Sequence, residues 1–573
     1  MAHKKNRETA ENPAGTPPAQ NRTGKGATVT GSANSANSTG TASKVAKPRK
    51  KRELNVFLAL LPVLALVLFI GGGYIGFDLP VEPMIISAAA VAAVVAWYLG
   101  YSWDDMMDSV SEKMAKAWPA LLILLTVGIL IGSWMAGGTI PYLVYWGLKL
   151  IDPRWLALIA LIGTAIVSLC TGTSWGSAGT IGVAFMGIAI GMDVNLAMVA
   201  GAVVSGAYFG DKMSPLSDTT NITAMITRVP LFTHVKNMLW TTGAAFVLAA
   251  VVFGVAGFMS HDVDGDISGV EAITSELSTI FNFNLWMLVP AIVVLIGAGM
   301  QLPTIPVMLL GTVLGLINAF VFQGVHIKDA FTTLVSGFKL DMITASGWDP
   351  DTASESMQTL LERGGMNSML GTLAICFCAI AFAGIMGVSK SLDYLVERVL
   401  SGVKTRFGLV SSTIGIGLGT IAVTCNGQIS LIMPGDVLRP AYVRRGVHPK
   451  VLGRTLEDSV TVTETLFPWT AAGAYMAATL GVPTLEYVPW AVLNWSGMIF
   501  ALILAATGLG IYNLSREEQV ERLEQEDLTE VDVIRWGNGT PGPAAKKTLT
   551  AGTQTASRES QGPRTSASTN STE

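Results

Sequence analysis

From about residue 54 to residue 512 the chain runs through one apolar stretch after another, each about 20 residues long and parted by short polar breaks. That length is what a helix needs to cross a hydrocarbon core of about 30 Å. In such a core every backbone N–H and C=O must be paired within the protein, and helices do this segment by segment. Spans are predicted near 54–76, 83–101, 118–136, 155–171, 176–192, 194–210, 237–259, 284–300, 302–324, 367–387, 407–433, 459–480 and 488–512. Half of the 573 residues are apolar and only 14% are charged, which is membrane composition. The expected fold is an all-α polytopic membrane protein with about 11–13 transmembrane segments, some of them discontinuous or re-entrant.

The ends differ in kind from this middle. Residues 1–52 are rich in Ala, Ser, Thr, Asn and Gly, carry scattered basic residues and finish in "KPRKKR". They lack the early apolar stretch of a secretory signal and are expected to form a disordered, basic, cytoplasmic tail. Residues 53–512 are expected to form the membrane domain, and 513–573 begin with a stretch suited to a short acidic helix before turning low in complexity. Both ends are read as solvated extensions. Basic residues before the first span place the N-terminus inside. Segments 389–406 and 439–454 are both basic, so the apolar stretch between them is expected to enter the membrane and return. The acidic run "DVDGDISGVE" has its glycine in the wrong place for a calcium loop and reads as part of an outer loop.

Three short patterns recur in the same order: "MAGGTIPYLV" with "MGVSKSLDYLV", "GTAIVSLCTG" with "GTIAVTCNG", and "LSDTTNIT" with "LEDSVTVT". They suggest two related repeats, about 118–259 and about 367–512, pairing Asp218 with Asp458. Secondary transporters are commonly built from two such halves, inverted relative to one another, whose broken helices form a site near the bilayer midplane.

Polar residues inside the apolar runs mark that site. "GDKMSPLSDTTNITA" holds Asp211 and Asp218 seven residues apart, with Pro215 between them to break the helix. An ionised carboxylate costs about 2.5–3.5 kcal/mol at the centre of a spanning helix, so it usually faces a cavity or a partner. A small hard cation such as Na⁺ seeks several oxygen ligands. Ser214, Ser217, Thr219, Thr220, Asn221 and Thr223 supply neutral ones, and Glu457, Asp458, Ser459, Thr461, Thr463, Glu464 and Thr465 follow in the second half. Thr171, Thr173, Ser174, Asn426 and Gln428 lie in two further polar breaks suited to lining a cavity. Lys212 reads equally well as a side chain snorkelling to the headgroups, and Glu457 as a partner of Arg454 one turn away.

"GAYFGDKMSPLSDTTNITA" resembles the signature of the NhaC-type sodium/proton antiporter family, part of a wider ion transporter superfamily. "LTVGILIGSWMAGGTIPYLVYWGL", "RGGMNSMLGTLAICFCAIAFAGIMG" and "LEDSVTVTETLFPWTAAGAYM" are similar to its other recurring segments. The likeness spans residues 54–512 and shows no departure in the G-D-K-x-S-P-L-S-D-T-T-N run. It implies exchange of Na⁺ for H⁺ across a bacterial or archaeal plasma membrane, with no cofactor and no nucleic acid. Asp218, Asp211, Asp458 and Glu464 are then the candidates for cation binding and proton exchange, with Na⁺ at Asp218, Thr219 and Asn221. Members of the family also exchange small organic anions such as malate and lactate, which is the alternative. A channel is disfavoured by the paired breaks, and a membrane enzyme by His234, His261, His326 and His448 being scattered without a nucleophile or metal constellation.

Overall fold

A computed structural model describes residues 52–260, 267–529 and 533. The expected basic tail before Arg52, the core of the "DVDGDISGVE" run and the low-complexity C-terminal tract lie outside these residues. Among the described residues the chain is helical, and Val447 and Asn513 form an isolated β-bridge. Among the described residues nine helices are long and apolar enough to cross a membrane, from Val56–Gly76 to Arg406–Thr424, or up to 11 when each of two bent pairs counts as one span. The protein is a multi-pass membrane protein.

The difference from the thirteen predicted runs lies in the breaks. The run at 407–433 is cut into the helices Arg406–Thr424 and Gly427–Arg444, which pack on each other. The run at 459–480 is a π turn at Glu457–Thr461, a 3-10 turn at Glu464–Leu466 and, after Pro468, the helix Ala471–Leu480. The run at 194–210 is the helix Leu196–Met213, which stops before Pro215.

Local chemistry explains these elements. Trp103–Ala136 has 34 residues, about 51 Å at 1.5 Å each, and so outruns the hydrocarbon core. Its first turns carry Asp104, Asp105 and Asp108 and begin with a capping box in which Ser102 and Asp105 exchange hydrogen bonds. On Leu231–Ser260, Val247, Val251 and Val255 recur every fourth residue and are all exposed, a face suited to lipid. Where helices meet, glycine permits the approach. Leu156–Thr171 and Leu196–Met213 pack along their length, and a Cβ at Gly206 would lie 2.3 Å from the Leu161 carbonyl oxygen.

The C-terminal segment is not a free extension as far as residue 528. The helix Arg516–Gln525, capped by Ser515, lies against Gly427–Arg444 and buries Leu523 beside Val443 and Leu514. Glu526 accepts from Arg439 Nε at 2.6 Å and pairs with Arg228 Nη1 at 3.2 Å.

Candidate functional site

Two turns of the same build face one cavity. The helix Leu156–Thr171 ends on Gly172 at φ 68°, and Thr173 Oγ1 then accepts from Gly176 N to start the next helix. The helix Arg406–Thr424 ends on Cys425 at φ 55°, and Asn426 Oδ1 accepts from Ile429 N at 3.0 Å. Glycine takes the left-handed conformation without penalty, whereas a side chain there costs about 1–2 kcal/mol. The residues in the left-handed conformation at these two turns are Gly172 and Cys425.

The cavity between these turns holds about 230 Å³. Thr173, Ser174 and Trp175 line it from the first turn, and Asn426, Gly427 and Gln428 from the second. Asp211, Asp218 and Glu464 all open onto it, and Lys116 is the cation among its described lining residues. The three carboxylates lie within electrostatic reach of one another. Such a cavity carries an excess of negative charge and attracts cations.

Each carboxylate is held differently. Asp211 is buried, accepts at Oδ2 from Ser174 Oγ at 2.7 Å, and leaves Oδ1 without a protein partner. Glu464 accepts from Gly427 N at 3.2 Å. Asp218 opens the helix Asp218–Ile226, where the helix dipole favours a negative charge, and is more exposed than the other two. Its Oδ2 accepts from Gln428 Nε2 at 2.6 Å. Asp218 also lines a second cavity of about 440 Å³, together with Thr171, Thr173 and Gln301, so it stands where the two adjoin.

Other predicted residues serve the break itself. Ser214 Oγ accepts from Leu216 N at 3.2 Å, and Thr220 Oγ1 donates to Lys212 O at 3.0 Å. Ser217 Oγ and Thr219 Oγ1 share a hydrogen bond of 3.0 Å, and Thr219 reaches the smaller cavity. The Asn221 side chain is exposed, and its amide bonds back to the break, donating to Pro215 O at 2.9 Å and Ser217 O at 2.7 Å, rather than lining the cavity beside Asp218 and Thr219. Thr461 reaches the cavity, whereas Thr463 bonds back to Ser459 O at 2.8 Å.

Asp458 is not brought to the cavity. It is fully buried, bonded to the Lys212 ammonium and to Thr241 Oγ1, the latter at 3.0 Å. Lys212 is correspondingly 1% exposed, so it does not snorkel to the headgroups. Arg454 is also buried and donates to Gly510 O at 3.1 Å instead of pairing with Glu457. Charge requires this: a buried ammonium needs an anion in contact, and position 458 supplies it.

Sequence reasoning missed an aromatic support. Trp175 stacks on Tyr475 at 4.4 Å between centroids, and Tyr475 OH donates to Trp175 O at 2.7 Å. The aromatic residue directly after the polar Thr173-Ser174 pair was its signal. Also missed was a repeated local order: Asp211 lies four residues before Pro215, and Glu464 four before Pro468, each ahead of a new helix.

Comparison with known proteins identifies the family. The model of the Na⁺/H⁺ antiporter family matches residues 206–509, which hold all three cavity carboxylates, and the model of the C4-dicarboxylate anaerobic carrier matches residues 25–257. An uncharacterised Na⁺/H⁺ antiporter of Haemophilus influenzae is 50% identical, over 80% of this chain and 97% of its own. The malate-2H⁺/Na⁺-lactate antiporter of Bacillus subtilis is 35% identical over 82% of this chain and 97% of its own. The Na⁺/H⁺ antiporter NhaC of Alkalihalophilus pseudofirmus is 33% identical over 81% and 97%. The chain belongs to the Na⁺/H⁺ antiporter family.

Proposed function

We propose that the protein exchanges Na⁺ for H⁺ across the plasma membrane by alternating access, with its N-terminus and C-terminal helix on the cytoplasmic side and two related, inverted repeats moving about the cavity. The observation that carries this is the convergence of Asp211, Asp218 and Glu464 on one cavity built from two helix breaks. A carboxylate there binds either a proton or Na⁺, and each ion disfavours the other. If the loaded forms reorient and the empty, charged form does not, the two ions are exchanged rather than leaked. Asp218, between the two cavities, is the residue proposed to carry the exchanged ion, with Asp211 and Glu464 sharing the charge.

The malate and lactate chemistry of the Bacillus relative is the competing reading. Three carboxylates facing Lys116 would repel an organic anion, so cation exchange is favoured. Everted vesicles from an antiporter-deficient bacterial strain test this. Respiration acidifies the lumen, NaCl is added, and the wild type is compared with Asp218→Asn. Collapse of ΔpH by Na⁺ alone, absent in the variant, is expected. Collapse that waits for malate or lactate would transfer the protein to the organic-anion reading.

A further inference from the structure

Glu457 is fully buried, and neither of its carboxylate oxygens has a hydrogen-bond partner. Near it stand the Thr223 and Thr461 hydroxyls, which have no other hydrogen-bond partner, and among the described residues no cation is in contact with it, because Arg454 points to Gly510. A buried carboxyl left in this condition is strongly unfavourable. Such a group is tolerated where a second arrangement of the molecule satisfies it.

Two features beside Glu457 provide that arrangement. The next residue, Asp458, holds the Lys212 ammonium, whose charge also reaches Glu457. Residues Glu457–Thr461 form a π turn, closed by Val462 N donating to Glu457 O at 3.3 Å. A π turn holds one residue more than an α turn. When it relaxes, the segment slips by one position and turns by about 100°, which sets Glu457 where Asp458 stood.

We propose that Glu457 is the alternative partner of Lys212. In the other state of the transport cycle the π turn relaxes, and the ammonium passes from Asp458 to Glu457. Each state satisfies one carboxylate and leaves its neighbour wanting, which keeps the two close in energy, as a carrier that must visit both requires. The exchange is tied to the ion site at both ends: Lys212 follows Asp211 on its helix, and Thr461, at the far end of the π turn, lines the cavity. Glu457 is therefore a positioning residue for transport, and its rate readout rests on the antiporter reading.

Two measurements on the purified full chain test it. In proteoliposomes with a pH-sensitive dye, Glu457→Gln is expected to lower the maximal Na⁺-driven proton flux at least tenfold while half-saturating Na⁺ stays within about twofold, and Glu457→Asp to restore at least a third of the rate. A wild-type rate in Glu457→Gln, or equal losses in rate and Na⁺ affinity without recovery in Glu457→Asp, would overturn the proposal. Thermal midpoints supply a readout independent of transport, so that a wild type without Na⁺-driven flux would defeat the antiporter reading alone. Because Glu457 can take over Lys212, the double variant Asp458→Asn with Glu457→Gln should lose more than the sum of the two single losses. Strictly additive losses would show that Lys212 has no second partner.

Discussion

Gln428 Nε2 meets Asp218 Oδ2 at 2.6 Å across 210 residues of chain, each side chain in the first turn of its own helix. The contact fixes one oxygen of the proposed ion-carrying carboxylate. Replacing Gln428 with Ala removes a hydrogen bond worth about 1 kcal/mol net, or roughly a fivefold change in an equilibrium constant. Half-saturating Na⁺ is expected to rise by about that factor, measured as Na⁺-driven proton flux, with a smaller change in maximal rate.

Lys212 and Asp458 are both buried, and the penalty for parting them falls on whichever remains. Lys212→Met should cost about 3–5 kcal/mol, because it strands Asp458. Replacing Asp458 with Leu in the same chain should recover much of that loss in a thermal unfolding assay, and no transport with it. Equal stability of the single and double variants would count against the pair.

Gly206 and Gly210 bring the helix that carries Asp211 against the helix that ends at Thr171. A Cβ at Gly210 would lie 2.4 Å from Leu169 N, and backbone cannot step aside as a flexible side chain can. Gly210→Ala should therefore destabilise by about 1–3 kcal/mol. Transport should fall beyond the loss of folded protein, because the turn carrying Ser174 shifts away from Asp211. Activity normalised to folded protein in size-exclusion fractions checks this.

Burial, with the Arg522 guanidinium nearby, pushes the His448 imidazole down to about 4. The unfolded chain then binds more protons than the folded one between about pH 6.5 and about pH 4, so stability falls as pH falls through that window and is level above it. His448 N donates to Tyr512 O at 2.9 Å, and Glu518 and Lys450 also face the ring. Docking of the C-terminal helix should loosen across this window. Faster hydrogen exchange at 513–528 at pH 5 than at pH 7, after correction for intrinsic rates, is expected, and His448→Asn should flatten the difference.

Much of this architecture was legible in the sequence because it is local. Apolar runs of spanning length became helices, Pro215 ended one, and the polar residues Thr171, Thr173 and Ser174 marked a break, each dictated by a few adjacent residues. Partnerships over long distances were not legible. Lys212 could have snorkelled, and only packing shows that its anion lies 246 residues away. The pattern match paired Asp218 with Asp458, whereas the local order of carboxylate and proline places Asp211 and Glu464 alike. Conformation, rather than letter identity, carries that correspondence.

The C-terminal helix closes a bracket whose consequence lies in biosynthesis. Of the two helices whose first turns meet at Asp218 and Gln428, Arg228 follows the end of one and Arg439 lies in the later half of the other, and Glu526 ties both. Arg228 Nη1 also donates to Gln525 O, 297 residues later. A ribosome that has just finished the last apolar run has made every residue lining the cavity, and Arg439 Nη1 already donates to Ile226 O, yet the carboxylate that joins Arg439 to Arg228 is still to come. A premature stop codon soon after residue 512 would thus yield a product with every cavity residue present and with Arg228 and Arg439 short of the carboxylate they share.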